Sequence, residues 1–156
     1  MYSGSFEGYA SVFHNIDFDG DVICPGAFYK TLTQLREKGT PLPVLWQHDP
    51  KKPIGICTQL QETPHGLWVI GHLDPDKGQG AYAALQHGQL NALSIGYRPR
   101  KTHRNHRVDI RYITGLDLYE ISLVARAANP MARVTWVTSP LNKASFTKNT
   151  FLCEKR

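Results

Sequence analysis

Cysteine is scarce and dispersed in this chain. Cys24, Cys57 and Cys153 form no C-x-x-C pair, which argues against both a structural zinc site and a disulfide framework. Reduced thiols in a cytosolic setting are the plain expectation. No apolar run reaches the roughly eighteen residues that a membrane helix requires. The N-terminal residues Met1 to Ser5 have no basic stretch followed by an apolar one, so no secretory signal is expected. There is no internal repeat. With 156 residues and 41% apolar content, the chain can bury a single core, and one domain is expected.

Acidic residues are missing from one stretch. Between Arg98 and Arg107 stand Arg98, Arg100, Lys101, Arg104 and Arg107 with no acid among them. From Thr138 onward, Lys143, Lys148, Lys155 and Arg156 outweigh Glu154. These two segments exceed the net charge of +5, so the rest of the chain is net acidic. The basic character belongs to an expected loop and tail, which either contact nucleic acid or acidic surfaces or are simply solvated.

What is present is a succession of short β-rich segments. Phe6 to Phe13, Val44 to His48, Ile54 to Gln61, Gly66 to Leu73, Leu90 to Tyr97, Val108 to Ile113, Leu116 to Val124 and Ala132 to Val137 read as strands. Two helices are expected: Ala27 to Lys38, with Phe28, Leu32 and Leu35 at helical spacing, and Lys77 to Gly88. Asn15 to Gly20 (NIDFDG) is turn chemistry. It imitates the start of a calcium loop, but the twelfth position would be Gly26, where such a loop needs a bidentate glutamate. Calcium is therefore rejected. The pattern predicts a β-rich α+β domain, a closed or nearly closed barrel, over residues 1–137. The Ser-, Thr-, Lys- and Asn-rich residues 138–156 are expected to be a loosely attached tail.

Three strands carry side chains that together make a hydrolytic set. On Leu90 to Tyr97, side-chain alternation puts Ala92, Ser94 and Gly96 on one face. Ser94 thus lies between small neighbours that leave room for a substrate, or else simply fills a tight gap. His48 shares a strand face with Val44 and Trp46, while Asp49 points the other way and opens a turn with Pro50. Glu120 shares a face with Leu118, Ser122 and Val124, where a carboxylate is costly without a donor; an imidazole or Arg126 is a candidate. A serine hydroxyl needs a histidine to accept its proton, and a third group to hold the imidazole in the right tautomer. The chain order His, Ser, acid differs from the three well-known triad orders, which geometry permits.

The ordered series Gly8-Tyr9-Ala10-Ser11-Val12-Phe13, Gly20-Asp21-Val22-Ile23, Pro25-Gly26-Ala27-Phe28, Gln47-His48-Asp49, Pro53-Ile54-Gly55, Gly66-Leu67, Leu93-Ser94-Ile95-Gly96-Tyr97, Glu120-Ile121-Ser122-Leu123-Val124 and Ala128-Asn129-Pro130 resembles the prohead maturation proteases of tailed bacteriophages. The likeness runs from about Phe6 to Val137. That family is related in fold to the herpesvirus assemblins, serine proteases on a β-barrel surrounded by helices. The resemblance implies that Ser94 is the nucleophile and His48 the general base. An acidic third member, in place of the second histidine of assemblins, carries over to Glu120; His103 and His106, in the basic loop, are poor substitutes. Arg126, in Ala125-Arg126-Ala127-Ala128-Asn129-Pro130, is the analogue of the arginine-bearing oxyanion loop.

The resemblance further implies cleavage of a scaffold protein, or of a scaffold region of the major capsid protein, with no metal or cofactor. A homodimer like that of assemblins is part of the same expectation, as is self-cleavage or capsid targeting through the tail. The setting would be the host bacterial cytoplasm and then the interior of the immature capsid, with no membrane association. Two other readings stand beside it: a non-catalytic β-barrel binding nucleic acid through Arg98–Arg107, and a catalytically dead relative that aids assembly.

Overall fold

The computed structural model of the chain describes residues 3–139. Its elements are β1 (Gly4–Val12), β2 (Asp21–Ile23), α1 (Tyr29–Lys38), β3 (Leu42–Trp46), β4 (Asp49–Thr63), β5 (Gly66–Leu73), α2 (Gln79–Gln86), β6 (Ala92–Asn105), β7 (Ile110–Val124) and β8 (Arg133–Thr138). Around the sheet, β7 pairs with β3, then follow β4, β5, β1, β8 and β6, and β6 returns to β7. Seven strands thus close a barrel, which leaves less exposed edge than an open sheet would carry. β2 adds an eighth strand to β7. The pairs β3–β7 and β2–β7 are parallel and the others antiparallel.

Closure is uneven around the ring. β6 and β7 pair along nearly their whole length, from Ala92↔Val124 to Asn105↔Ile110. β6 and β8 pair only at Ala92↔Arg133, supported by Leu93 N–H to Ala132 O at 3.1 Å and Val134 N–H to Asn91 O at 2.8 Å.

The barrel interior is filled by Phe6, Leu67, Val69, Leu73, Leu93, Ile121 and Leu123, with Phe28 covering it from the start of α1. Removing an aromatic so placed costs about 3–5 kcal/mol. Phe28 occupies the N-cap of α1 and makes no side-chain cap. Glu62, arriving from β4, caps the helix instead: its carboxylate accepts the N–H groups of Gly26 at 2.5 Å and Phe28 at 3.1 Å. A carboxylate at this position also faces the positive end of the helix dipole. Gly39 ends α1 with φ +62°, its N–H returning to Leu35 O and Arg36 O, a left-handed stop that suits glycine.

The expected β-rich barrel with flanking helices is what the chain forms, with four corrections in detail. Arg98–Arg107, expected as a loop, is strand as far as Asn105. The strands expected at Val108–Ile113 and Leu116–Val124 are the single strand β7. The reason is local: Thr102 pairs with Ile113 and His103 with Tyr112, and between them and Leu116 the ladder only shifts register, with Gly115 opposite Lys101. β2 was not anticipated, because three residues are too short for periodicity to register. Thr138, expected in the tail, is the last residue of β8 and pairs with Ser5; residues 140–156 lie outside the described residues.

Candidate active site

β3 and β4 join through a two-residue turn, with Trp46 paired to Asp49 and Gln47 and His48 at its tip. Both tip residues have positive φ, +51° and +59°. This is the twist a tight hairpin requires, and non-glycine residues adopt it only when the surroundings enforce it. Three contacts to β7 and the residue after it do so. Gln47 N–H donates to Leu123 O at 3.0 Å, Ala125 N–H donates to Gln47 Oε1 at 3.1 Å, and His48 N–H donates to Ser122 Oγ at 3.1 Å. His48 therefore stands on a turn pinned to β7 and not on the strand face shared with Val44 and Trp46. Asp49, expected to open a turn, begins β4 instead.

The imidazole faces Glu120. His48 Nδ1 and Glu120 Oε1 are 2.5 Å apart. The other carboxylate oxygen accepts the Ser122 hydroxyl at 2.7 Å. Ser122 thus holds both the backbone of His48 and the carboxylate that meets its ring. Glu120 is buried at 8% exposure, so both oxygens need these donors. The carboxylate hydrogen bond raises the His48 pKa above its ordinary value, against an opposing effect of partial burial. With the proton on Nδ1 directed at Glu120, Nε2 is left as an acceptor.

Ser94 lies directly across from Ser122, and Gly96 across from Glu120. The four residues form one patch of the β6–β7 ribbon. Gly96 is required there, since a Cβ at this position would sit 2.3 Å from Glu120 Oε1. The small residue expected to leave room for substrate instead makes room for the carboxylate. Ser94 is 7% exposed, and its hydroxyl has no hydrogen-bond partner among the described residues. His48 and Ser94 line the same cleft, about 150 Å³, together with residues from β1, the Asn15–Gly20 turn and the β7–β8 loop.

Arg126 is exposed, with its guanidinium 4.7 Å above the Phe18 ring. It does not line the cleft, whereas Ala128 and Asn129 from the same loop do. Asn129 ties that loop to its surroundings: its Oδ1 accepts from Asn15 at 3.0 Å and its Nδ2 donates to Val12 O at 2.9 Å. The triad reading had no role for Ser122, although period-two alternation already put it beside Glu120. The approach of the Asn15–Gly20 turn to this cleft had no local signal, being made by distant contacts such as Phe18 N–H to Ala128 O at 3.0 Å. A larger groove, about 550 Å³, runs between α1 and β4. It holds no acid–base pair, and its buried Cys57 thiol is pushed well up by desolvation, which makes it a poor nucleophile.

The family described as caudovirus prohead serine protease matches residues 2–146. The chain is 36% identical over 140 residues to the prohead protease of Enterobacteria phage HK97, covering 87% of this chain and 61% of that protein. It is 32% identical over 113 residues to the prohead protease of Escherichia phage T5, covering 72% and 53% respectively. It therefore spans about three-fifths and about half of these relatives' lengths. Among solved structures it is similar to the bacteriophage T4 capsid assembly protease, with a TM-score of 0.60, 12% identity and coverage of 77% of this chain and 80% of that one. It is also similar to the Kaposi's sarcoma-associated herpesvirus protease bound to a hexapeptide phosphonate inhibitor, with a TM-score of 0.50, 17% identity and coverage of 84% and 63%. At these identities the two structural likenesses concern the barrel itself.

Proposed function

The chain belongs to the caudovirus prohead serine protease family, and from that premise we propose that it is a serine endopeptidase of procapsid maturation. The observation that carries this reading is the chain of hydrogen bonds from Ser122 to Glu120 to His48, opening onto a cleft that also holds Ser94. Ser94 Oγ attacks the peptide carbonyl carbon while His48 Nε2 takes the hydroxyl proton. The tetrahedral adduct then collapses, His48 returns the proton to the leaving amine, and water, activated by the same imidazole, hydrolyses the acyl-enzyme. Glu120 keeps the ring in the required tautomer and stabilises the imidazolium. The Ser94–His48 hydrogen bond forms with substrate in place, as catalytic hydrogen bonds commonly tighten only in the complex.

Oxyanion stabilisation falls to the loop 125–130. Its Arg126 side chain anchors the loop on Phe18, and the backbone N–H groups of Ala128 and Asn129 are the donors we assign. Beyond Ala92 the outer edge of β6 has no paired strand among the described residues. An extended peptide added there would run past Ser94. The substrate is a scaffold protein or scaffold region of the major capsid protein, met inside the immature shell within the bacterial host. A second copy of the chain as dimer partner, and self-cleavage beyond Thr138, belong to the same reading. Nucleic-acid binding has less support. Two of the five cations in Arg98–Arg107 are committed to carboxylates, Arg100 to Asp117 and Arg104 to Asp109.

Co-expression with the cognate capsid or scaffold protein tests the proposal, comparing the native chain with Ser94→Ala and His48→Ala by intact mass. Defined fragments with the native chain and none with either variant are expected. Fragments that persist in either variant refute the assignment. Their absence even inside assembled shells refutes the activity.

A further inference from the structure

The cleft beside Ser94 is anionic although the chain as a whole is basic. Its wall carries Asp17 and Asp19 from the turn that follows β1 and Asp21 from the start of β2, and no lysine or arginine among the described residues. Asp21 is already neutralised: Arg111 grips both its oxygens, Nε at 2.7 Å and Nη2 at 2.5 Å, and the Tyr97 hydroxyl adds a third donor at 3.2 Å. Among the described residues neither of the other two carboxylates is in a salt bridge, although the charge of Arg111 also reaches Asp17. Asp17 Oδ1 accepts the N–H groups of Asp19 and Asp21 at 2.9 and 2.8 Å, while its Oδ2 has no partner among the described residues. Asp19 has no partner for its carboxylate there at all.

An independent feature of the same wall points to a ligand. Ser11 is 1% exposed, and its Oγ is fully buried without a hydrogen-bond partner. The register shift between Tyr9 and Ser11 accompanies the burial of Ala10 and Ser11 together, and both line the cleft. A buried hydroxyl left unmated is costly, and a polar group entering the cleft would offset that cost.

We propose that Asp17, Asp19 and Ser11 form a specificity subsite for a cationic side chain, lysine or arginine, close to the scissile bond of the substrate. The proposal rests on the reading of Ser94 as nucleophile. The two carboxylates supply the charge and Ser11 Oγ a hydrogen-bond acceptor for an ammonium or guanidinium. Burial raises the Asp17 pKa, as expected of a carboxylate whose cationic partner arrives only with the ligand.

The test uses tripeptide diaryl phosphonates, which phosphonylate an active serine covalently, its oxygen bonding phosphorus as a phenol leaves. Lysine or arginine replaces leucine at one position at a time, and labelling of the full chain is followed by intact mass. At one position the cationic probe is expected to label at least about tenfold faster than its leucine counterpart. That ratio should fall to about two in Asp19→Asn and in Asp17→Asn, which keeps the Oδ1 acceptor. Asp19→Lys should reverse the preference towards a glutamate-bearing probe at the same position. Ser94-dependent labelling with no cationic preference, or with a preference that survives these substitutions, overturns the subsite and leaves the serine protease reading intact. No Ser94-dependent labelling by any probe overturns both.

Discussion

At the scale of single residues, the proposed chemistry turns on how Glu120 and Ser122 set the state of His48. Because the folded pKa of His48 lies above its ordinary value of 6.5, cleavage, which needs the neutral ring, should rise with pH through a midpoint above that value. The same shift means that His48 contributes stability that is fully present below the unfolded pKa and lost as pH rises through the folded one. In Glu120→Gln the imidazolium loses its main support. Titration of the His48 ring protons by NMR should show a lower midpoint, and turnover should drop on the order of 10²–10⁴-fold. An unchanged midpoint would remove Glu120 from its proposed role. Ser122→Ala withdraws the donor to the buried carboxylate and the acceptor of His48 N–H together. A loss of about 1–3 kcal/mol is expected in denaturant unfolding, with a fall in turnover that Ser122→Thr partly restores if the threonine hydroxyl takes up the same rotamer. Stability loss with full turnover would make Ser122 merely structural.

At the scale of elements, the strands were legible where side chains alternate and illegible where charge or turn geometry masked the alternation. Ser94 and Glu120 could be assigned to faces because β6 and β7 keep a period of two through Ala92–Gly96 and Glu120–Val124. His48 could not, because a tight Gln-His turn carries none of the Asn-Gly chemistry that advertises such turns; it is enforced by contacts to a strand some seventy residues away in sequence. The basic half of β6 was hidden by its charges, whose partners Asp117 and Asp109 lie on or beside the next strand. The cap of α1 was hidden for the same reason, since Glu62 is distant in sequence from the helix it caps. Glu62→Gln should cost about 1 kcal/mol, comparable to losing an ordinary N-cap, read as a lowered midpoint in thermal unfolding followed by circular dichroism. No change would mean that Phe28 packing alone fixes the start of the helix.

At the scale of the whole molecule, the barrel class was readable from the count and spacing of strands, while the order in which they close was not. Sequential neighbours β4–β5 and β6–β7 are hairpins that sequence can suggest. The contacts β1–β8 and β3–β7 are set by long-range packing with no local signature. The narrow join between β6 and β8 gives the ring a preferred place to breathe. Amides of Leu93 and Val134, bonded across that join, should exchange with deuterium through local opening, well ahead of Ile121 and Leu123 in the doubly flanked strand β7. Hydrogen-exchange mass spectrometry resolves the two regions, and equal protection would mean that the ring opens only as a unit. A peptide inhibitor seated along β6 should slow exchange at Leu93 selectively. The proposed nucleophile would then sit on a gate that substrate itself latches, so that engagement of a peptide and rigidification of the strand bearing Ser94 become a single event.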